Sequence, residues 1–161
     1  MRIKTLKEFI AKKKYVAVTY DRESQKKLRE WAIENGFDLT KSYDGEDQDP
    51  KDFEFHTTIF FTTNEVNLPN KRIKVDPTEV VIQGIKFLGE NEDIPVLKLE
   101  LTGKLKDLRK QYEDLGLEDQ WPTYQPHISL SYAKEKRDVS KIKIPTFTPK
   151  YDIIAISDIK D

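Results

Sequence analysis

The sequence predicts an α+β fold within a single domain spanning residues 1–161, its two halves hinting at lobes that face a common cleft. Three observations carry this expectation. Short β-rich runs alternate apolar and polar residues at a period of two, and two longer stretches place apolar residues at helical spacing. The strand and helix arrangement also recurs in both halves of the chain, each half holding one histidine.

Taken in order, Met1 to Lys14 reads as a short amphipathic helix, with Leu6, Phe9 and Ile10 among lysines and with Thr5 and Glu8 at capping-box spacing. It is too short and too interrupted for a signal peptide or a membrane span. Tyr15 to Tyr20 is β-branched and aromatic, hence a strand, and Asp21 to Asn35 places Leu28, Trp31 and Ala32 on one helical stripe before Gly36. Lys41 to Lys51 has the Asp, Gly and Gln content of a solvated loop. Phe55 to Thr62 is a second strand, and the Asn- and Pro-containing piece from Asn64 to Pro77 reads as a connection. Strands near Glu79 to Leu88 and Pro95 to Leu101 follow, joined as a hairpin around Gly89 to Asp93. Gly103 to Leu117 is the second helix, with Leu105, Leu108, Tyr112 and Leu115 on one stripe. His127 to Tyr132, an extended Ile142 to Phe147 and Tyr151 to Ser157 complete the strand pattern.

With 37% hydrophobic residues, the 161-residue chain can bury one real core. Its 28 basic and 29 acidic side chains nearly cancel, so charge alone does not hold a long nucleic acid, and a small ligand fits better than a polymer. The absence of cysteine excludes disulfides, iron–sulfur clusters and thiolate zinc sites, and it points to a reducing, cytoplasmic setting.

The two histidines stand in His56-Thr57-Thr58 and in Pro126-His127-Ile128-Ser129, each with a hydroxyl residue two positions on. Residues i and i+2 of a strand share a face, so each motif presents an imidazole beside a hydroxyl. The opposite faces, Thr57, Ile59 and Phe61 in one strand and Ile128, Leu130 and Tyr132 in the other, are left for packing. Cleaving a phosphodiester needs a base for the attacking oxygen and an acid for the departing one. A neutral histidine and a histidinium supply both near pH 7. Thr58 and Ser129 can donate to the non-bridging phosphate oxygens. An isolated His-x-Thr in a strand is more often a packed residue than a catalytic one; its repetition at both histidines reverses that weighting. No His/Asp/Glu cluster has metal-ligand spacing, so neither a metal nor another cofactor is expected.

These paired motifs, separated by a strand pair and a helix, resemble the 2H phosphoesterase superfamily over nearly the whole chain. Within it, the Tyr15-Val16-Ala17-Val18 strand and the Tyr124-Gln125-Pro126-His127-Ile128-Ser129-Leu130-Ser131-Tyr132 segment look like the phage anti-CBASS protein 1 family. The resemblance implies a two-lobed fold, with antiparallel sheets lining a central cleft and helices packed on the outer faces, and hydrolysis of the cyclic di- and trinucleotide signals of bacterial CBASS immunity, in the cytoplasm of the host. By the same resemblance His56 and His127 are catalytic, and Thr58 and Ser129 contact phosphate. The second motif carries serine where threonine is the commoner superfamily choice, which keeps the hydroxyl but frees χ1. Tyr15, Trp121 and Tyr124 are candidates to stack on a nucleobase, with core packing or loop anchoring as the alternative for each. Lys134, Lys136 and Arg137 could draw in phosphate or simply be solvated surface. Two other readings use the same cleft: an enzyme acting on RNA ends or 2′,3′-cyclic phosphates, and a non-catalytic cyclic-nucleotide sponge.

Overall fold

The computed structural model describes residues 11–159, in which β1 (Lys12–Tyr20), α1 (Arg22–Glu34), β2 (His56–Val66), β3 (Lys71–Glu79), β4 (Ile82–Leu88), β5 (Ile94–Leu99), α2 (Gly103–Glu113), β6 (His127–Ser129) and β7 (Lys150–Asp158) follow in chain order. The result is an α+β architecture with two antiparallel sheets, one of four strands in the order β2-β1-β7-β3 and one of three in the order β4-β5-β6.

Both helices begin where a side chain can satisfy a free backbone N–H. Asp21 accepts from Ser24 N at 2.8 Å to start α1, and Thr102 accepts from Leu105 N at 3.3 Å to start α2. Each then buries one stripe, Leu28 and Ala32 from α1 and Leu105, Leu108 and Tyr112 from α2, in a single core with Val16, Val18, Leu97, Leu99 and Ile128. A fully buried leucine contributes about 1.5–3 kcal/mol, so these stripes rather than helix propensity hold the helices in place. The β4–β5 hairpin turns at Gly89, whose φ of +96° lies in the left-handed region that a Cβ disfavours.

Several expectations need correction. Met1 to Ile10 of the expected N-terminal helix lie outside the described residues, and Lys12 to Lys14 belong to β1 instead. Lys14 is the reason a lysine run can be strand: its ammonium is buried and bonded to Asn70 and Asp158. The connection expected from Asn64 to Pro77 contains β3, which pairs with β7. Its alternation is real but shallow, with Ile73 and Val75 half-buried and Arg72 and Lys74 exposed. β6 ends at Ser129 rather than Tyr132; the chain leaves the sheet where the Ser131 hydroxyl donates to Asp38 O at 2.6 Å. Ile142 to Phe147 forms no strand, and Val80-Val81 separates β3 from β4.

The face assignment in β2 changes halfway along. Ala17 pairs with Thr58 and Val16 with Phe60, so Ile59 is an extra residue in a β-bulge. Before the bulge Thr57 and Ile59 point inward as expected; after it Phe60 enters the core, and Phe61 joins Tyr15 on the face that carries His56 and Thr58.

Candidate active site

β2 and β6 are edge strands of different sheets, and they come together in space. Three contacts give their direction. The Trp121 ring lies 5.7 Å from Phe61, the Tyr124 hydroxyl donates to Thr58 O at 2.7 Å, and Tyr132 stacks on Phe53 at 5.5 Å. Residues 121–132 therefore run antiparallel along residues 53–61, with His56, Thr58, His127 and Ser129 in the middle of the run.

The two imidazoles are held in the same way. His56 Nδ1 lies 3.2 Å from Glu54 O, and His127 Nδ1 lies 2.7 Å from Gln125 O. A carbonyl oxygen only accepts, so both rings carry their proton on Nδ1 when neutral, and Nε2 is the free lone pair. Each ring is thus oriented by the carbonyl two residues before it. Burial pushes the His56 pKa below the ordinary histidine value, partly offset by the Glu54 carbonyl. Burial lowers His127 as well, and the positive charge that His56 and Lys86 can carry lowers it further. The charge on His56 is thus felt at His127 on the adjoining strand.

The hydroxyl partners are positioned unequally. Thr58 Oγ1 lies 2.8 Å from the Tyr15 hydroxyl, and burial pushes the Tyr15 phenol well above its usual value, keeping its proton in place. When Tyr15 donates, the Thr58 proton is free to point elsewhere. The Tyr15 ring is set edge-on to His56 at 6.1 Å and to Phe61 at 5.9 Å. Ser129 pairs with Val96 across β5, and burial raises the Tyr132 phenol above its usual value, an effect that Ser129 partly offsets.

Beneath Thr58 lies a brace that sequence reading missed. Arg109, on α2, donates to Ile59 O at 2.5 Å and to Asp119 at 2.8 Å, and Asp119 also accepts from Phe61 N at 3.3 Å. These bonds satisfy backbone groups that the bulge takes out of the ladder. The guanidinium sits 4.2 Å from the Phe60 ring and 4.1 Å from the Tyr124 ring. Tyr124 thus spans Arg109 and the Thr58 carbonyl, while Trp121 stands 52% exposed at the end of the run.

The cations that share the site are also not those singled out in sequence. Lys98 pairs with His127 and Lys86 with Val96, so both lysines lie on the face that carries His127 and Ser129. Their signal was the strand alternation itself, since each sits between apolar neighbours. Arg137 is engaged elsewhere, donating to Asn35 O at 2.7 Å with its guanidinium 4.3 Å from the Phe37 ring. A concavity of about 500 Å³ at the end of β1, lined by Thr19, Glu54, Arg72 and Asp152 among others, reaches the residues flanking His56 without including either histidine. Among the described residues no group of three or more His, Cys, Asp or Glu side chains could hold a metal ion, and no helix is long and apolar enough to cross a membrane.

Fold and site define an α+β protein that sets two histidines and two hydroxyls on adjoining edge strands of separate antiparallel sheets. The family model for anti-CBASS protein Acb1 matches residues 12–153, from the first strand to the last. The chain belongs to that family, and its role is anti-CBASS immune evasion by a phage. A search of curated proteins gives no match.

Proposed function

We propose that the chain is a metal-independent phosphodiesterase of the 2H type that hydrolyses 3′,5′-linked cyclic di- and trinucleotides. The observation that carries this reading is the matched pair of Nδ1–carbonyl bonds, which leaves Nε2 as the free nitrogen of each histidine on two adjoining strands. A pure binder has no use for two such rings, whereas bond cleavage needs both.

In the proposed reaction one neutral imidazole takes the proton of the attacking oxygen, that of a water or of the ribose 2′-OH, the latter giving a cyclic phosphate that water then opens. The attacking oxygen bonds to phosphorus, the ester P–O bond breaks, and the second ring, as imidazolium, gives its proton to the leaving oxygen. Thr58 and Ser129 donate to the non-bridging oxygens, and Tyr15 orients Thr58 for that task. Lys86 and Lys98 add positive charge on the His127 side. Both free-enzyme histidines are shifted toward the neutral form. The bound phosphate's negative charge restores the proton that the acid needs.

The test is a panel of cyclic di- and trinucleotides, a 2′,3′-cyclic mononucleotide and a short RNA, each incubated with the protein in EDTA and followed by mass. Multiple turnovers on the cyclic oligonucleotides, abolished by His56→Ala or His127→Ala, are expected. Turnover confined to the mononucleotide or the RNA would move the substrate assignment to RNA-end chemistry. Tight binding without product would make the protein a sponge.

A further inference from the structure

Residues paired across an antiparallel sheet turn their side chains to the same face, so the register of the four-stranded sheet tells which groups share a face with His56 and Thr58. Two rows run across that face from β2 to β3. His56, Thr19, Ile153 and Lys74 form one, and Thr58, Ala17, Ala155 and Arg72 form the next. Burial agrees with the register: the alternate row of Thr57, Val18 and Ile154 is in the core, whereas Arg72 and Lys74 are exposed. Both cations therefore stand on the face of the first histidine, at the sheet edge remote from it, and no acidic side chain lies in either row. Lys74 is already matched by Asp152 at 2.9 Å, while Arg72 makes no ion pair or hydrogen bond among the described residues. With Thr19 and Ile153 from the same face, and with Glu54 and Asp152, Arg72 borders the concavity of about 500 Å³ at the end of β1.

Resting on the phosphodiesterase reading above, we infer that Arg72 holds the phosphodiester of the cyclic oligonucleotide that is not being cleaved. β2 is the edge strand against which β6 comes, so a phosphate shared by His56 and His127 sits at that edge. Three strand spacings, about 14 Å, separate β2 from β3. The arginine arm spans roughly half of that distance and leaves about 7 Å, which one ribose bridges between its two phosphates. The scissile phosphate is therefore out of reach of Arg72, and the next phosphate along the ring is within it. The guanidinium suits the task, since its planar fork can donate two parallel bonds to one phosphate and its charge is not taken up by a carboxylate. Such a contact reads the backbone of the ring and no base. A 3′,5′-linked cyclic oligonucleotide always carries a second phosphate to fill it, whereas a 2′,3′-cyclic mononucleotide has its single phosphate at the histidines.

The experiment measures equilibrium binding of 3′,5′-cyclic diadenylate and of adenosine 2′,3′-cyclic phosphate in EDTA. It uses the His127→Ala background, with and without Arg72→Ala, Arg72→Lys and Lys71→Ala. Arg72→Ala is expected to weaken the cyclic dinucleotide by about tenfold, as loss of one charge-assisted contact does, and to leave the mononucleotide as it was. Arg72→Lys keeps the charge without the fork and is expected to fall between the two. Lys71 is the control: it pairs with the buried Ile156 and so belongs to the opposite face, and Lys71→Ala is expected to bind as the background does. Equal affinity of Arg72→Ala and the background for the cyclic dinucleotide would overturn the inference. An equal loss from Lys71→Ala would overturn it too, by reducing the effect to net charge, as would an equal loss for the mononucleotide, by moving Arg72 to the scissile phosphate. Binding is read without turnover, so a protein that binds through Arg72 but whose wild type never cleaves would overturn the catalytic reading and leave this contact standing. Cleavage by the wild type with Arg72→Ala at full affinity would do the reverse, and a background that binds no cyclic dinucleotide would overturn both.

Discussion

His56 stands on an eleven-residue strand paired with β1, whereas His127 stands on a three-residue strand paired with β5. The surroundings differ in the same direction. Thr58 is held by its hydroxyl through Tyr15 and by its carbonyl through Tyr124, and the next peptide is clamped by Arg109 and Asp119. Ser129 has its strand neighbour Val96, after which the chain departs toward Asp38. Both halves stand on edge strands, but one is braced from beneath by a helix and the other rests on three residues of strand. On the proposed reading a shared chemistry does not require equal construction: the braced half would fix where a phosphate sits, and the other would need only to hold its ring at the right angle, which the Gln125 carbonyl does.

The brace is the place to break this asymmetry. Arg109→Ala leaves Asp119 buried without its cation and the Ile59 carbonyl without its donor, and unfolding in urea is expected to show a loss of about 3–5 kcal/mol. Thr58→Val keeps the shape and deletes the donor; a fall in kcat of about 10²–10³-fold is expected, the usual consequence of losing one oriented donor to a developing anion. Ser129→Ala is expected to lower kcat less than Thr58→Val does, and equal losses would show that the two hydroxyls are equally well placed. Steady-state rates on a cyclic dinucleotide decide between these outcomes.

The pH dependence sharpens the comparison further. Both histidines titrate below their ordinary value of 6.5, so the singly protonated pair in the free enzyme is most populated on the acid side of 6.5. The expected kcat/KM profile is a bell with its maximum there, and a maximum above pH 7.5 would contradict the burial of the two rings. The stability effect has the opposite sense and is smaller. An unfolded histidine binds a proton at higher pH than a buried one, so folding is weakened as pH falls from 6.5 through the depressed values. Replacing both histidines by glutamine is expected to flatten that limb of a melting-temperature curve.

What could be read in advance follows from how local each signal is. α1 was legible because its N-cap Asp21 and its buried Leu28 and Ala32 lie within one stretch, and the β4–β5 hairpin because Gly89 marks its turn. The histidine–hydroxyl faces were legible because two residues of spacing suffice to place them side by side. β3 was missed because an edge strand with one open face carries charge, and Pro77 and Asn70 made it look like a loop. The bulge at Ile59 has no signature of its own, and it moved Phe61 to the site face. Arg109 and Asp119 act on β2 residues some fifty positions away, a pairing that only the folded chain reveals.

The central claim is that His56 and His127 act on the same phosphodiester in one chemical step. The most direct test is a kinetic cycle on a cyclic dinucleotide, with His56→Ala, His127→Ala and the double variant compared at saturating substrate. Each single substitution is expected to remove about 10²–10⁴-fold of the rate, and the double variant to be little worse than either, since a base without its acid completes no cleavage. Losses that multiply in the double variant would show that the two rings contribute independently and would contradict the shared step.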